Sequence, residues 1–362
     1  MSVDQITLSS FRNHLDTRLD GTARFNLLVG DNGAGKTNIL EALSLLAPGR
    51  GLRRSALAEM AAHDGTGGFA IGASLTTSSG EEPVRLGSFT EPARPGRRLV
   101  RINGSDASAV GMSEWLALGW LTPAMDRLFA DSAGGRRRFM DRMALALDPM
   151  HARYATRYEA SLRERNRLLS DDREPDAAWL DGVEAHLAEY GAALSSSRAR
   201  LVSQLMEELA QLPPEPFARP ALSYAHGGPI MREELAEALR NSRRRDRAAS
   251  RTLIGPHRDE LNVTMEGKDV PAASCSTGEQ KAMLIAIVLA HANIAARGRP
   301  NLLLLDEVAA HLDPIRRDAL FDRLRDSGAQ IWLTGTELAP FEAIRSEASI
   351  WQVEAGRASR VR

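Results

Sequence analysis

The sequence predicts an α/β fold of the P-loop type into which a helical arm is inserted, and three observations support this. An apolar run at residues 25–29 leads through a glycine-rich loop into a helical stretch that starts at Asn38. A second apolar run, residues 302–305, ends in the carboxylates Asp306 and Glu307. Between them, apolar residues recur at helical spacing. We therefore expect a head formed by residues 1–122 and 251–362, and an arm formed by residues 123–250.

The composition is that of an ordinary soluble globular protein. The chain has 362 residues, of which 43% are hydrophobic and 26% charged, enough for two domains or for one domain with a large insertion. Its single cysteine, Cys275, excludes an internal disulfide and suits a reducing compartment. The sequence does not open with a signal-peptide pattern, and its longest apolar run, residues 282–290, is too short to span a membrane. We expect a cytoplasmic protein without a membrane partner.

The net charge of −1 gives the whole molecule no electrostatic attraction to nucleic acid. Any contact with DNA must therefore come from local patches. Two arginine runs are candidates, although such runs are usually solvated faces. They are Arg136, Arg137 and Arg138 in the first run, and Arg243, Arg244 and Arg245 in the second.

The glycine-rich loop has the pattern of a phosphate-binding loop between a strand and a helix. Its glycines let successive backbone N–H groups point at a phosphate, and the helix N-terminus adds partial positive charge. Lys36 can reach the β- and γ-phosphates of ATP, and the Thr37 hydroxyl can bind Mg²⁺. The alternative is a glycine-rich turn followed by Lys-Thr by chance. The loop reads Gly30-Asp31-Asn32-Gly33-Ala34-Gly35-Lys36-Thr37.

Alternating residues before the loop predict a strand that ends near Ser9-Ser10 and forms a hairpin leading into the loop's own strand. Short alternations from Phe69 to Ile102 predict small antiparallel strands. In the middle of the chain, one apolar stripe runs from Phe139 to Leu162. A second runs from Leu180 to Leu209 and is ended by Pro213-Pro214. Two long helices joined by a short turn predict an antiparallel arm, and a pair of ordinary core helices is the alternative.

The C-terminal third contains further elements. The sequence predicts a polar helix at residues 231–247, an apolar helix at residues 281–296 and a strand at residues 331–334.

Four apolar residues followed by Asp306-Glu307 form the pattern of a Walker B strand. At the carboxyl edge of the sheet, Asp306 can bind Mg²⁺ through water, and Glu307 can act as general base toward the attacking water. Two solvated acids at a strand end are the alternative.

The segment Ser276-x-Gly278-Glu279-Gln280 resembles the signature of ABC-type ATPases. A serine hydroxyl and backbone amides at a helix start form an anion site that has no lysine of its own, so this site cannot hold ATP alone. In the ABC class it completes the ATP site of a second subunit. The motif therefore predicts a dimer with nucleotide at its interface, and Asp313 matches the D-loop that lies across that interface.

These features together resemble the RecF family of recombination mediators, which are relatives of the SMC and Rad50 ATPases. The motifs that carry the resemblance span nearly the whole chain. They are Phe11-Arg12-Asn13, the P-loop with Asn38-Ile39-Leu40-Glu41-Ala42, Gly49-Arg50-Gly51-Leu52-Arg53, Arg136-Arg137-Arg138-Phe139-Met140-Asp141 and Gly255-Pro256-His257-Arg258-Asp259.

The resemblance implies an ATP-dependent homodimer that binds duplex DNA and gap or junction structures. In that family it acts at stalled forks and single-strand gaps, with RecO and RecR as partners. It also adds Arg12, Asn13 and Asn38 to the nucleotide-binding candidates. ATP would close two heads around DNA and hydrolysis, which we expect to be slow, would reopen them, with contacts mainly to phosphates.

The chain departs from the RecF family pattern at two places. Many RecF proteins have Asp-Asp where this chain has Asp306-Glu307, and the signature has Glu279 where Gln is common. No histidine follows the strand at residues 331–334, so Thr334 or Thr336 would take the place of the switch histidine of ABC transporters.

Three other functions remain open at this point. The ATPase subunit of a membrane transporter would want a switch histidine and a coupling surface rather than a long arm. A P-loop kinase or GTPase would leave the signature unexplained. Another SMC-like chromosome ATPase would share most of the motifs.

Overall fold

A computed structural model of the chain describes residues 2–65, 67–76, 82–171, 173, 175–213, 215–295, 299–309 and 312–361. The chain divides into two compact units. The head unit comprises residues 1–126, 213–218 and 284–362, and the arm unit comprises residues 127–212 and 219–283.

The strands of the described residues are β1 (Ser2–Phe11), β2 (His14–Asp20), β3 (Phe25–Val29), β4 (Ala70–Thr76), β5 (Val84–Glu91), β6 (Arg94–Ile102), β7 (Ser105–Ala107), β8 (Ala117–Leu121), β9 (Pro220–Ala225), β10 (Glu260–Met265), β11 (Val270–Pro271), β12 (Asn301–Leu305), β13 (Gln330–Gly335), β14 (Ala348–Glu354) and β15 (Arg357–Arg360). The α-helices are α1 (Lys36–Ser44), α2 (Ala109–Met112), α3 (Ala133–Leu147), α4 (Met150–Ser170), α5 (Ala177–Gln211), α6 (Arg232–Ala248), α7 (Thr277–Ala295) and α8 (Pro314–Asp326). Among these helices, none is long and apolar enough to cross a membrane.

The central sheet of the head unit has the order β15-β14-β3-β13-β12-β8, and its strands from β14 to β8 are parallel. Strands β3, β8, β12 and β13 are buried along their whole length, as expected for a parallel sheet covered on both faces. In register, Leu305 pairs with Leu333, and Val29 pairs with Gly335. The P-loop and the acidic pair therefore leave the sheet at the same edge, on either side of β13.

A second, antiparallel sheet of the head unit has the order β2-β1-β4-β5-β6-β7. The predicted N-terminal hairpin is present, because Phe11 of β1 pairs with His14 of β2 across a two-residue turn. Apolar residues of both sheets and of α1 form one core cluster, in which Leu8, Ile39 and Trp332 are fully buried. The helix that follows the P-loop is thus fixed by packing on its apolar side chains rather than by its own propensity.

The arm unit contains helices α3 to α6 and a three-stranded sheet in the order β11-β10-β9. Helices α4 and α5 are antiparallel. His151, at the start of α4, meets Ser197, whereas Arg165, near its end, meets Glu184. The predicted antiparallel helix pair is therefore present.

The first helical stripe is two helices, and our expectation of a single helix was wrong. Helix α3 ends at Leu147 and α4 begins at Met150. Pro149 causes the break, since it has no N–H to donate and disfavours the helical conformation at the residue before it. Asp148 accordingly has φ −131° and ψ 104°. The second stripe is one helix, as predicted.

Other boundaries also differ from the prediction. Residues 123–126 and 213–218, expected in the arm, belong to the head unit. Residues 251–283, expected in the head, belong to the arm unit, because β10 pairs along its length with β9. Helix α7 begins at Thr277 rather than at residue 281. Pro214 and Ala296, which we expected at helix ends, lie outside the described residues.

Candidate nucleotide-binding site

The P-loop takes a conformation that its glycines make possible. Gly35 has φ +118°, and a Cβ there would lie 2.7 Å from His14 Nε2 and 2.8 Å from Asn13 Oδ1. A side chain at residue 35 would thus meet both backbone strain and a steric clash. Helix α1 starts at the next residue, so its unpaired N–H groups face the loop.

Lys36 is the buried cation of this loop. Its Nζ donates to the carbonyl oxygens of Gly30 at 2.5 Å and Asp31 at 2.9 Å. Burial lowers the pKa of Lys36, and the carboxylates of Glu307, Asp306 and Asp31 oppose that shift. The two hydrogen bonds to carbonyl oxygens hold the ammonium group against the loop backbone.

Asp306 is the centre of a hydrogen-bonded group at the carboxyl edge of the central sheet. Its Oδ1 accepts from the hydroxyls of Thr37 and Thr334, each at 2.9 Å. Burial raises the pKa of Asp306, whereas the hydrogen bonds from Thr334 and Thr37 lower it. The structure brings together Thr37 and Asp306, the two residues predicted to bind Mg²⁺. Thr334 is the third member of this hydrogen-bonded group.

Thr334 also orients the neighbouring acid. Its hydroxyl accepts a hydrogen bond of 2.9 Å from the backbone N–H of Glu307. Glu307 has φ +54°, a left-handed conformation that is uncommon for residues other than glycine and is often found at functional sites. The turn after β12 is therefore held in a special conformation at the residue predicted to be the general base. Thr334 is buried at this site, whereas Thr336 is exposed.

Arg12 lies in the β1–β2 turn with φ +55°, and it makes a two-pronged ion pair with Glu41 of α1. Its Nε and Nη2 atoms lie 2.9 Å from the two carboxylate oxygens. Arg53 donates to the same carboxylate at 3.0 Å. The Glu41 side chain is fully buried, so one carboxylate balances two arginines. The sequence did not identify Glu41 as a site residue, because only the tertiary structure pairs it with Arg12.

The asparagines predicted by resemblance lie beside the P-loop. Asn13 Nδ2 donates to the carbonyl of Ala34 at 3.0 Å, and Asn38 Nδ2 donates to Asn13 Oδ1 at 2.7 Å. The buried His14, which the sequence did not suggest, places Nε2 3.0 Å from the carbonyl oxygen of Gly35. Burial lowers the pKa of His14, and its hydrogen bonds with backbone groups oppose this. The β1–β2 turn thus supports the P-loop. The loop tip, formed by Asp31, Asn32 and Gly33, is exposed.

The signature segment lies in the arm unit at the start of α7. The Ser276 hydroxyl and backbone N–H each donate to Glu279 Oε2 at 2.9 Å, and the Glu279 N–H donates back to Ser276 Oγ at 3.3 Å. This reciprocal arrangement is a capping box. Gln280 donates through Nε2 to the carbonyl of Cys275 at 2.9 Å. Gly278 is exposed, and a Cβ at this residue would meet no atom within 4 Å in the part of the chain that the structure describes.

Asp313, the D-loop candidate, caps α8 by accepting a hydrogen bond of 2.9 Å from the N–H of Arg316. This contact explains the residue by helix capping alone, so its approach to a nucleotide remains a prediction.

The arginine runs divide into paired and exposed members. Arg136 forms a two-pronged pair with Glu260 at 2.7 and 3.1 Å, and Arg137 donates to the carbonyl of Asp259 at 2.8 Å. Arg243 donates to Asp181 at 2.6 Å and also pairs with the buried Glu184. These contacts give Arg136, Arg137 and Arg243 roles within the arm unit. The exposed members are Arg138, Arg244 and Arg245.

Comparison with known proteins identifies the family to which the chain is similar. The family model described as "RecF/RecN/SMC N terminal domain" matches residues 2–358. A protein of Mesorhizobium japonicum is 45% identical over 98% of this chain and 96% of its own length. One of Brucella suis is 43% identical over 99% of this chain and 96% of its own. Both are described as "DNA replication and repair protein RecF".

Solved structures agree with this on the fold. The structure described as the "recombination mediator protein RecF-ATPrS in RecFOR pathway" superimposes with a TM-score of 0.87 at 22% identity, covering 99% of this chain and 98% of that one. An Smc head domain derived from Pyrococcus furiosus gives a TM-score of 0.55 at 16% identity, covering 99% and 96%. The fold is thus the ABC-type ATPase head shared with SMC proteins, carrying an arm. From the family model and from the identity with these full-length relatives, the chain belongs to the RecF family.

Proposed function

We propose that this protein is an ATP-dependent DNA-binding ATPase of recombinational repair and replication-fork maintenance. The observation that carries the proposal is the hydrogen-bonded group of Thr37, Asp306 and Thr334, which joins the P-loop to a Walker B carboxylate. The buried Lys36 lies in the same loop. The description of the relatives as DNA replication and repair proteins supplies the biological role. It favours this function over that of a transporter ATPase.

Each residue of the site has a chemical task. The P-loop N–H groups and Lys36 bind the phosphates of ATP. Thr37 Oγ1 and Asp306 Oδ1 lie 2.9 Å apart and are oxygen donors of the kind that Mg²⁺ prefers, so the residues present fit this ion. Mg²⁺ would supply neutralisation of the phosphate charge. Glu307, oriented through its backbone by Thr334, accepts a proton from the attacking water.

We place the second half of the ATP site on another copy of the chain. Ser276 and Gly278 are exposed at a helix N-terminus, and no atom of the described residues lies within 4 Å of the position that a Gly278 side chain would take. No contact with a described residue of the chain accounts for a glycine at this position. A phosphate bound to the partner's P-loop would account for it. Asp313 would lie at the same interface.

ATP binding would then close a homodimer on DNA near single-strand gaps, and slow hydrolysis would reopen it, so the ATPase acts as a switch. DNA contacts would be made to phosphates by exposed arginines, with little sequence readout. One related structure is described within the RecFOR pathway, and this supports RecO and RecR as partners that help recombinase loading. A cytoplasmic location suits that role.

The test is the mass of the protein measured by light scattering without nucleotide, with ADP and with ATP. We expect a dimer with ATP only. Lys36→Met removes the fixed cation and should abolish the dimer. Glu307→Gln keeps the shape but removes the base, so its ATP dimer should persist while hydrolysis falls at least about a hundredfold. ATP-dependent dimerisation that survives in Lys36→Met would contradict the proposal.

A further inference from the structure

The signature segment carries a carboxylate, Glu279, that accepts the hydrogen bond which the Ser276 hydroxyl would donate to ATP in the proposed dimer. Glu279 Oε2 accepts both the hydroxyl and the backbone N–H of Ser276, each at 2.9 Å. Its other oxygen, Oε1, accepts from Lys268 Nζ at 2.8 Å. The bonds from Lys268 and Ser276 lower the pKa of Glu279 to about 2, so the carboxylate is charged at any working pH.

A serine hydroxyl has one proton to donate. The proposed dimer requires Ser276 to donate it to a phosphate on the partner subunit, whereas the single chain already donates it to Glu279. A phosphate that approaches Ser276 must therefore displace the carboxylate and also lie near its negative charge. Lys268 reduces that repulsion and pulls the carboxylate from its other side.

We propose that Glu279 is a gate on dimer closure, which holds the signature serine until ATP competes for it, and that Lys268 sets the strength of this gate. The inference rests on the proposed composite ATP site and adds its regulation. It gives a role to the position where this chain departs from the Gln common in the family. A neutral glutamine can complete the same capping box without repelling a phosphate.

The main experiment is ATP-driven dimerisation, followed by light scattering over a series of ATP concentrations. Glu279→Gln should lower the ATP concentration for half-maximal dimerisation by about five- to tenfold, since a hydrogen bond to a charged acceptor is replaced by a neutral one. Lys268→Met should raise it, because the carboxylate then lacks its counter-charge. The double variant should behave like Glu279→Gln alone, because Lys268 acts only through the carboxylate.

Glu266→Gln is the matched control. Glu266 is also in the arm unit, it pairs with Arg219 at 3.4 Å, and its side chain is 51% exposed. The substitution removes the same charge from a residue that pairs with Arg219 rather than with Ser276 or Lys268, so the ATP dependence should be that of the wild type.

Cys275 provides a readout that does not depend on dimerisation, since it is the only cysteine and directly precedes Ser276. Burial and the Glu279 charge raise the pKa of its thiol, and Lys268 lowers it. Without nucleotide, Glu279→Gln should therefore speed alkylation of Cys275 by iodoacetamide about two- to threefold, and Lys268→Met should slow it. An unchanged rate in both variants would mean that the carboxylate does not sit at the signature.

The outcomes separate the two proposals. If the wild type does not dimerise with ATP, the composite site and the gate both fall, whatever the alkylation rates. If the wild type dimerises and Glu279→Gln needs as much ATP or more, only the gate is overturned. A double variant clearly weaker than Glu279→Gln would also overturn it, because Lys268 would then contact the phosphate directly.

Discussion

The hydroxyl of Thr334 donates a hydrogen bond of 2.9 Å to Asp306 Oδ1, across two neighbouring parallel strands. The same hydroxyl oxygen accepts the N–H of Glu307 at 2.9 Å. One threonine at the end of β13 therefore fixes the side chain of the metal-binding candidate and the backbone of the general-base candidate. ABC transporters place a switch histidine in this part of the chain. Here the residue contacts Asp306 and Glu307, so we expect it to act as a positioning residue.

We first predict that Thr334→Val lowers kcat for ATP hydrolysis about tenfold with a small change in ATP affinity. Valine keeps the volume and removes both hydrogen bonds, whose combined contribution to orienting the two acids is on the order of 1–2 kcal/mol. Steady-state kinetics will separate kcat from KM. Thr336→Val is the control, because Thr336 is exposed two residues further on. Equal losses in both variants would contradict a role specific to Thr334.

The second prediction concerns Glu41. Glu41→Gln leaves the guanidinium groups of Arg12 and Arg53 without their carboxylate, which lies 2.9 and 3.0 Å from them. We expect a loss of about 1–3 kcal/mol in the free energy of unfolding, measured by urea denaturation. The arginines are 20% and 40% exposed, which keeps the loss below that of a fully buried pair.

The control for this change is Glu354→Gln, an exposed carboxylate in the same unit, which should cost less than about 0.5 kcal/mol. A Glu41→Gln variant as stable as that control would mean that water can replace the carboxylate.

The local patterns of the sequence predicted the P-loop, the buried strand before Asp306 and the antiparallel arm, because each depends on neighbours along the chain. The break before Met150 was missed since the apolar spacing continues across Pro149, although the proline itself was a visible signal. The place of residues 251–283 could not be predicted, because β10 is assigned to the arm unit by its pairing with a strand distant in sequence.

In the candidate site, too, local patterns predicted some residues, and contacts between distant parts of the chain determined others. Lys36, Thr37 and Asp306 could be nominated from motifs, whereas Glu41 and His14 contribute through contacts between elements far apart in the chain. From the sequence alone, the three arginines of each run were equivalent candidates for binding DNA. Only the ion pairs of the structure distinguish Arg136 and Arg243 from their exposed neighbours.

The third prediction uses that distinction. If the second run binds DNA phosphates, Arg244→Ala with Arg245→Ala should weaken binding to all duplex sequences alike. The slope of log affinity against log salt should decrease by about 0.9 for each DNA phosphate that the variant no longer neutralises. Arg243→Ala is the comparison, since its first effect should be on the stability of the arm unit through Glu184. An unchanged salt slope in the double variant would leave Arg244 and Arg245 as a solvated surface.

The fourth prediction tests whether the ATP site is shared between two copies of the chain. Ser276→Arg should leave ATP binding by the monomer nearly intact, since the P-loop is unchanged. It should prevent dimer closure, because a large side chain fills the space meant for a phosphate. Neither this variant nor Lys36→Met should hydrolyse ATP when assayed alone.

Mixing the two variants rebuilds one kind of site. That site pairs the intact P-loop of the Ser276→Arg chain with the intact signature of the Lys36→Met chain, while the second site of the same dimer carries both defects. We expect a part of the wild-type ATPase activity in the mixture, with a maximum near equal concentrations, measured by phosphate release. Mixing Lys36→Met with Glu307→Gln is the control, because both substitutions lie on the P-loop side and no complete site can form. Full ATP-dependent dimerisation by Ser276→Arg alone would remove the signature from the ATP site, since no phosphate could then lie against residue 276.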